Sequence, residues 1–235
     1  MENPNTEKPY EKLSNLERAL DNAKNSGNTP KILENLLKLG ELCYDINANE
    51  LGLKYVQEAI ELSEKDSQYL HEFYKYLGDF NYELGMLDDA YKAYNNSIKL
   101  ASKKRFYRVL AESYFRLGRL NHVQEKIKQA ISHFKKAEKI YEEMGLPIEQ
   151  AKLYNKIGLM YTNKISETPE ETKLDRILFG PSIGIGPQGS LSYSKAKKYF
   201  KKAKAIIEEH NLVEEESVLY RSILTNLNTK FKDFK

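Results

Sequence analysis

Four histidines, His71, His122, His133 and His210, and one cysteine, Cys43, are the side chains of this chain best suited to ligate a metal or serve as a catalytic base or nucleophile. Their spacing argues against both roles. A metal site gathers several His or Cys ligands, and His122 and His133 stand 11 residues apart on segments that read as two different helices. Each histidine is expected as a surface or half-buried helix residue, and Cys43, in an apolar column, as inert packing. No Ser, His and acid set is readable from local motifs. Gly184, Gly186 and Gly189 spell G-x-G-x-x-G, which would cradle a pyrophosphate if it joined a strand to a helix. No strand pattern precedes it and Pro187 removes a backbone donor, so no cofactor is expected, and a mobile surface loop is the plainer reading. Six lysines between Lys195 and Lys204 flank the apolar set Ala196, Phe200, Ala203 and Ile207, which reads as a solvated outer face rather than a nucleic-acid surface.

Composition narrows the class that must position such residues. The chain has 235 residues, 40% hydrophobic and 30% charged, with 12 Gly and 7 Pro, too few breakers for an all-β chain with many turns. A formal charge of +3 is nearly balanced and gives no sign of a nucleic-acid partner. One cysteine allows no internal disulfide. The N-terminus MENPNTEKPY has no leader-like pattern, and no apolar run approaches the roughly 18 residues of a membrane span. A soluble cytoplasmic protein with residues 1–8 disordered is expected.

Self-similarity supplies the architecture. Four segments superpose, each pairing a helix that carries Leu-Gly or Ile-Gly with a helix of Ala and aromatics. Their glycines, Gly40, Gly78, Gly118 and Gly158, recur at spacings of 38, 40 and 40 residues. In the first three copies the small residue opening the second helix, Gly52, Ala90 or Ala130, follows its glycine by 12. Large columns run Leu36, Tyr74, Tyr114, Tyr154, then Leu39, Leu77, Leu117, Ile157, then Val56, Tyr94, Phe134, Phe200. A small column follows at Ala59, Ser97, Ala137 and Ala203. Residues three and four apart share a helix face, so each helix shows one apolar stripe to its partner, and Gly and Ala mark close crossings.

These columns resemble the tetratricopeptide repeat: a large residue, Leu-Gly, an aromatic, a later Ala and a later Phe. The aromatic column departs from it, reading Cys43, Asn81, Asn121 and Tyr161, and the closing proline is missing. The period near 40 resembles the longer variant of kinesin light chains and of bacterial peptide-responsive regulators. The resemblance implies an all-α right-handed superhelix of four helical hairpins, residues 33–66, 71–104, 111–144 and 151–210, with capping helices at 9–25 and 213–230, as one domain over 9–235. In the fourth hairpin Ala196 follows Gly158 by 38, so a 26-residue insertion, about 165–192, separates its helices. Thr168-Pro169-Glu170-Glu171 predicts a short helix through about Leu178. Phe179, Ile183 and Ile185 beyond it would fold over the groove or meet a partner.

In this family first helices line a concave surface. Carried over, that surface holds Glu34, Leu37, Glu41, Tyr44 and Asp45, then Glu72, Lys75, Tyr76, Asp79, Tyr82 and Glu83. Next come Glu112, Phe115, Arg116, Arg119 and His122, and last Lys152, Asn155, Lys156 and Thr162. It runs from acidic to basic, which would select a ligand of matching asymmetry. The chaperone-tail clamp of the family needs Lys and Asn where this chain has Leu37, Glu41 and Tyr76. The expected function is a scaffold or adaptor holding a protein or peptide. The alternatives are a sensor of short signalling peptides, and an enzyme or nucleotide binder using the Gly-rich loop. The sequence leaves oligomeric state open.

Overall fold

The computed structural model describes residues 9–64, 67–166 and 187–229. All regular structure among them is α-helix: α1 (Pro9–Asn25), α2 (Thr29–Asp45), α3 (Asn49–Leu62), α4 (Leu70–Glu83), α5 (Leu87–Lys104), α6 (Tyr107–Val123), α7 (Ile127–Glu143), α8 (Pro147–Ser166), α9 (Pro187–Glu209) and α10 (Ser217–Thr229). The fold is all-α, built of helical hairpins. No described helix is long and apolar enough to cross a membrane. The chain divides into two compact units between Ile140 and Tyr141, inside α7.

Local chemistry sets the helix ends. Asn28 caps α2, its side chain accepting from the Lys31 N–H at 3.1 Å, with Pro30 in the first turn. Asp88 and Asp89 open α5 and Lys103 and Lys104 close it, each complementing the helix dipole. Seven described turns share one device: a left-handed residue at Gly27, Asn47, Gly85, Arg105, Glu125, Gly145 and Asn211. The next N–H then reaches back five residues, as Met86 N to Asn81 O at 2.8 Å and Lys126 N to Asn121 O at 2.8 Å. Only three of the seven are glycine. Arg105 and Glu125 accept a strain of roughly 1 kcal/mol because the closing bonds and the flanking helices fix the turn. The α3–α4 connection differs, with α3 ending on an extended Ser63.

In the first unit the repeated glycines are contact points between paired helices. A Cβ on Gly78 would lie 2.4 Å from the Tyr94 ring, and one on Gly118 2.5 Å from the Phe134 ring. Gly40 faces the smaller Val56 and has more room, at 3.2 Å. Each pair lies 16 residues apart, because two antiparallel helices joined by a fixed turn meet at a fixed sequence distance. A Cβ on Gly52 would instead run into the Phe80 ring of the next hairpin. Around these crossings Leu20, Leu36, Leu39, Val56, Ala59, Phe73 and Phe80 form one core, with α1 contributing Leu20 and Ala23. Tyr55 Oη donates to Glu17 at 2.6 Å and ties α3 to α1.

His71 is buried rather than half-exposed, at 2% of its surface. Its ring stacks on Phe106 with centroids 4.1 Å apart, because Phe106 opens α6 directly over it. Ser97 Oγ donates to the His71 carbonyl at 2.7 Å and shares a 2.8 Å bond with Ser113 Oγ. Neither ring nitrogen of His71 has a hydrogen-bond partner among the described residues. Burial, with Lys104 and Lys75 nearby, pushes its pKa down to about 4. The unfolded chain therefore binds more protons between pH 6.5 and 4, and stability is full above that window and lost as pH falls through it. At about 1.4 kcal/mol per pH unit, the wild type will lose roughly 2 kcal/mol between pH 6.5 and pH 5 relative to His71→Phe. Urea unfolding of both at the two pH values checks this, and parallel pH profiles would refute it.

In the second unit α8 and α9 run antiparallel: Tyr154 meets Lys202, Gly158 meets Phe200 and Tyr161 meets Lys195. A Cβ on Gly158 would lie 2.7 Å from the Phe200 ring, so the fourth crossing keeps the pattern despite the insertion. Ala151, Ile157, Ala196, Ala203, Ile207 and Ile223 are buried around it. Helix α9 begins at Pro187, earlier than expected, on a proline whose fixed φ suits a first helical position. Helix α10 begins at Ser217, after a run of turns, rather than at 213. Residues 1–8, the helix expected through Leu178, and Gly184 and Gly186 lie outside the described residues.

Candidate partner-binding face

Helices α2, α4 and α6 carry most of the expected groove residues, and in the first unit the structure joins many of them to one another. Lys75, Asp79 and Tyr82 share one stripe of α4, three and four residues apart. Each meets the residue of α6 that lies 37 positions later. Lys75 Nζ donates to Glu112 Oε2 at 2.9 Å, Arg116 Nε donates to Asp79 Oδ1, and the Arg119 guanidinium lies over the Tyr82 ring at 5.0 Å. Equivalent columns repeat every 40 residues here, so the pairing is displaced by about one helical turn.

Burial divides the set. Asp79 is 2% exposed and Lys75 6%, and Tyr76 and Phe115 are buried with them. These four support the face rather than present themselves to a ligand. Asp79 also accepts from Tyr94 Oη at 2.9 Å, which links the inner face to the hairpin core. Tyr76 Oη donates to Glu41 at 3.3 Å, and Lys75 lies over the Tyr76 ring at 4.4 Å. Tyr44 is half-buried against Tyr76 and Phe80, with Arg116 over its ring at 5.8 Å. Tyr82, Arg119, Glu72 and His122 are half-buried, and Glu34, Glu41, Asp45 and Glu83 exposed. Leu37 packs against the apolar core. Glu34 pairs with Lys38 at 2.6 Å.

Burial raises the Glu72 carboxyl, partly offset by Lys75, with Glu41 and Glu112 adding to the rise. Burial would also raise Glu112, but Lys75 and Arg116 outweigh it and hold that carboxyl below its usual range. The Tyr44 hydroxyl is pushed up, first by burial and then by Asp79. Cys43 is fully buried, and burial pushes its thiol up to about 11, so it stays protonated and unreactive at neutral pH. No group of three or more His, Cys, Asp or Glu among the described residues is placed to hold a metal ion.

In the second unit Lys152 is exposed and pairs with Glu216 at 3.3 Å, Asn155 is buried, and Lys156 is exposed. The side chain of Thr162 lies outside what the structure describes. The lysines of α9 cover tyrosines of α8: Lys202 Nζ donates to Tyr154 Oη at 3.3 Å and Lys195 lies over Tyr161 at 5.8 Å. Sequence reading placed Tyr94 among the core residues and missed its bond to Asp79. Opposite charges 37 apart, at 75 and 112 and again at 79 and 116, are the signal that was there to be found.

Antiparallel helix pairs closed by a glycine against a ring define a helical-repeat fold. The tetratricopeptide-repeat family model matches residues 70–143. Among solved structures, BtubC (BKLC) from P. vanneervenii is similar at 14% identity and a TM-score of 0.56, over 95% of this chain and 93% of its own. A Rap protein complexed with Competence and Sporulation Factor is similar at 14% identity and a TM-score of 0.58, over 97% of this chain and 61% of its own. MamA aligns at 21% identity over 82% of this chain and 96% of its own, with a TM-score of 0.49. At 14% identity the first two likenesses speak to the fold alone. No curated protein matches the chain in sequence.

Proposed function

We propose that the chain is a protein-interaction scaffold or adaptor, not an enzyme, that holds a partner peptide or protein against the inner face of α2, α4 and α6. The observation that carries this reading is the set Tyr44, Tyr82 and Arg119, each only half-buried where it packs on α2, α4 and α6, while the helix crossings close elsewhere on Gly78 and Gly118. Tyrosine and arginine give broad contact area and charge-assisted bonds at low entropic cost, the chemistry of binding hot spots. The work is done in the cytoplasm, without a cofactor or a membrane, and nucleic acid is not the partner.

The test begins with affinity capture from the native host using the full chain, with and without residues 165–192. The double variant Tyr82→Ala with Arg119→Ala will weaken binding of the captured partner roughly tenfold or more while far-ultraviolet circular dichroism is unchanged. Unchanged affinity by calorimetry sinks this face as the site. A second reading, a sensor of short signalling peptides, draws on the Rap protein, a similar fold complexed with a named factor. Capture of a short peptide rather than a folded protein selects it.

A further inference from the structure

The two ends of the second hairpin differ in kind. Helices α4 and α5 run antiparallel between them, so one end holds the α4–α5 turn and the other the start of α4 and the close of α5. The 18 residues of α5 keep those ends roughly 27 Å apart. The α4–α5 end is apolar and acidic. Leu84 and Met86 are exposed on either side of Gly85, and Glu83, Asp88 and Asp89 flank them, also exposed. Asp89 is paired with Lys92 at 3.0 Å. The neighbouring turns lack this combination: the α2–α3 turn half-buries Ile46, and the α6–α7 turn exposes Val123 but runs on into Lys126 and Lys128.

The opposite end is basic and concave. Lys103, Arg105 and Arg108 are exposed there with Phe106 and Tyr107, and no acid stands between Lys99 and Arg108. Lys104 Nζ donates to the Ser67 carbonyl at 3.0 Å, which ties this turn to the α3–α4 connection. Ser67 also lines a cleft of about 500 Å³ whose apolar wall is Pro30, Leu33, Leu62 and Tyr69, with Glu64 as the one acid among the described lining residues. A space of this size holds several side chains. Leu62 is exposed in its wall, so apolar surface that the hairpins do not cover stands beside the cations.

Each end supplies what the other lacks. The cleft calls for apolar side chains with carboxylates close by in the chain, and the α4–α5 turn presents them in that order. The bond from Met86 N to Asn81 O at 2.8 Å already closes that turn, so docking it orders little backbone.

We infer that copies of this chain associate head to tail, the α4–α5 turn of one seating Leu84 and Met86 in the cleft beside Tyr69 of the next, with Asp88 and Asp89 against Lys103 and Arg105. Such a contact joins unlike surfaces, so a pair still offers one free end of each kind and growth continues into a ring or a filament. Neither Tyr82 nor Arg119 takes part, and the inference goes beyond the binding face proposed above.

Sedimentation velocity of the full chain over a concentration series measures the association. At about 100–200 µM and low salt, the range in which a small edge contact forms, the weight-average mass of wild type will exceed twice the 27.3 kDa of one chain. It will fall toward that of one chain at about 0.5 M salt, which screens exposed charges. Asp88→Lys with Asp89→Lys, and Lys103→Glu with Arg105→Glu, will each stay single, because like charges then face each other. Mixed in equal amounts the two will associate again, since each reversed end meets a reversed partner. Met86→Ser will weaken association about fivefold or more, whereas Tyr82→Ala with Arg119→Ala will leave it unchanged. Wild type that stays single, association that stops at two copies, a reversed variant that still associates with itself, or a mixture that does not recover overturns the inference. So does binding of the basic end to phosphatidylserine vesicles, lost in Lys103→Glu with Arg105→Glu, by a wild type that stays single in solution. Should a reversed variant fail to fold by circular dichroism, Asp88→Asn with Asp89→Asn and Lys103→Gln with Arg105→Gln take its place. Each will lower association about fivefold, and undiminished association overturns the contact.

Discussion

Asp79→Ala will destabilise the protein by about 3–5 kcal/mol, a large share of the whole stability of a typical domain. The carboxylate is 2% exposed and accepts from both Arg116 and Tyr94. Its removal leaves a guanidinium on a side chain only 15% exposed without its counter-charge, and a buried hydroxyl without its acceptor. The loss is the cost of an uncompensated buried charge and does not measure the worth of the pair. Replacing both partners by apolar residues of similar size, Asp79→Leu with Arg116→Met, will therefore recover most of it, leaving about 1 kcal/mol for the Tyr94 hydroxyl. Urea unfolding followed by circular dichroism distinguishes the two variants. A single variant losing less than about 1 kcal/mol, or a double variant no better than the single, would show that the pair is not closed off from solvent.

The paired variant Gly78→Ala with Gly118→Ala will cost about 2–4 kcal/mol. Each added methyl would sit 2.4–2.5 Å from a ring, and neither ring has room to swing away. Tyr94 is fully buried and tied to Asp79 by its hydroxyl, and Phe134 is 5% exposed. Overpacking of this kind costs roughly 1–3 kcal/mol or more per site, against about 1 kcal/mol gained in helix propensity. The two sites lie in different hairpins, so their effects add. Gly40→Ala is the control, because its only near neighbour is Val56 Cγ2 at 3.2 Å, and it will be close to neutral. Equal losses at Gly40 and Gly78 would refute the argument that the ring decides the cost.

The hairpins were legible because their determinants lie close along the chain. A turn of fixed length between two helices forces Gly78 onto Tyr94 and Gly118 onto Phe134, so one spacing recurs and can be seen without coordinates. The 26 extra residues before Phe200 do not hide it, since Gly158 still finds the ring. The candidate face was legible only by position. That Glu41, Tyr76, Asp79 and Arg116 lie on inner surfaces follows from the repeat. That Asp79 is buried under Arg116 while Arg119 is left with a tyrosine depends on how neighbouring hairpins shift past one another. The left-handed turn residues show the same limit: Gly85 announces itself, whereas Arg105 and Glu125 adopt that conformation because the helices on either side demand it.

The sequence by itself determined the helices, their pairing within hairpins and the columns that close each crossing, because contacts 16 residues apart across a short turn are local chemistry. Only the tertiary structure decided which charges neutralise each other, that His71 is shut beneath Phe106, and that Arg119 lies over the Tyr82 ring. Those outcomes turn on a displacement of about one helical turn between successive hairpins, which no single repeat encodes.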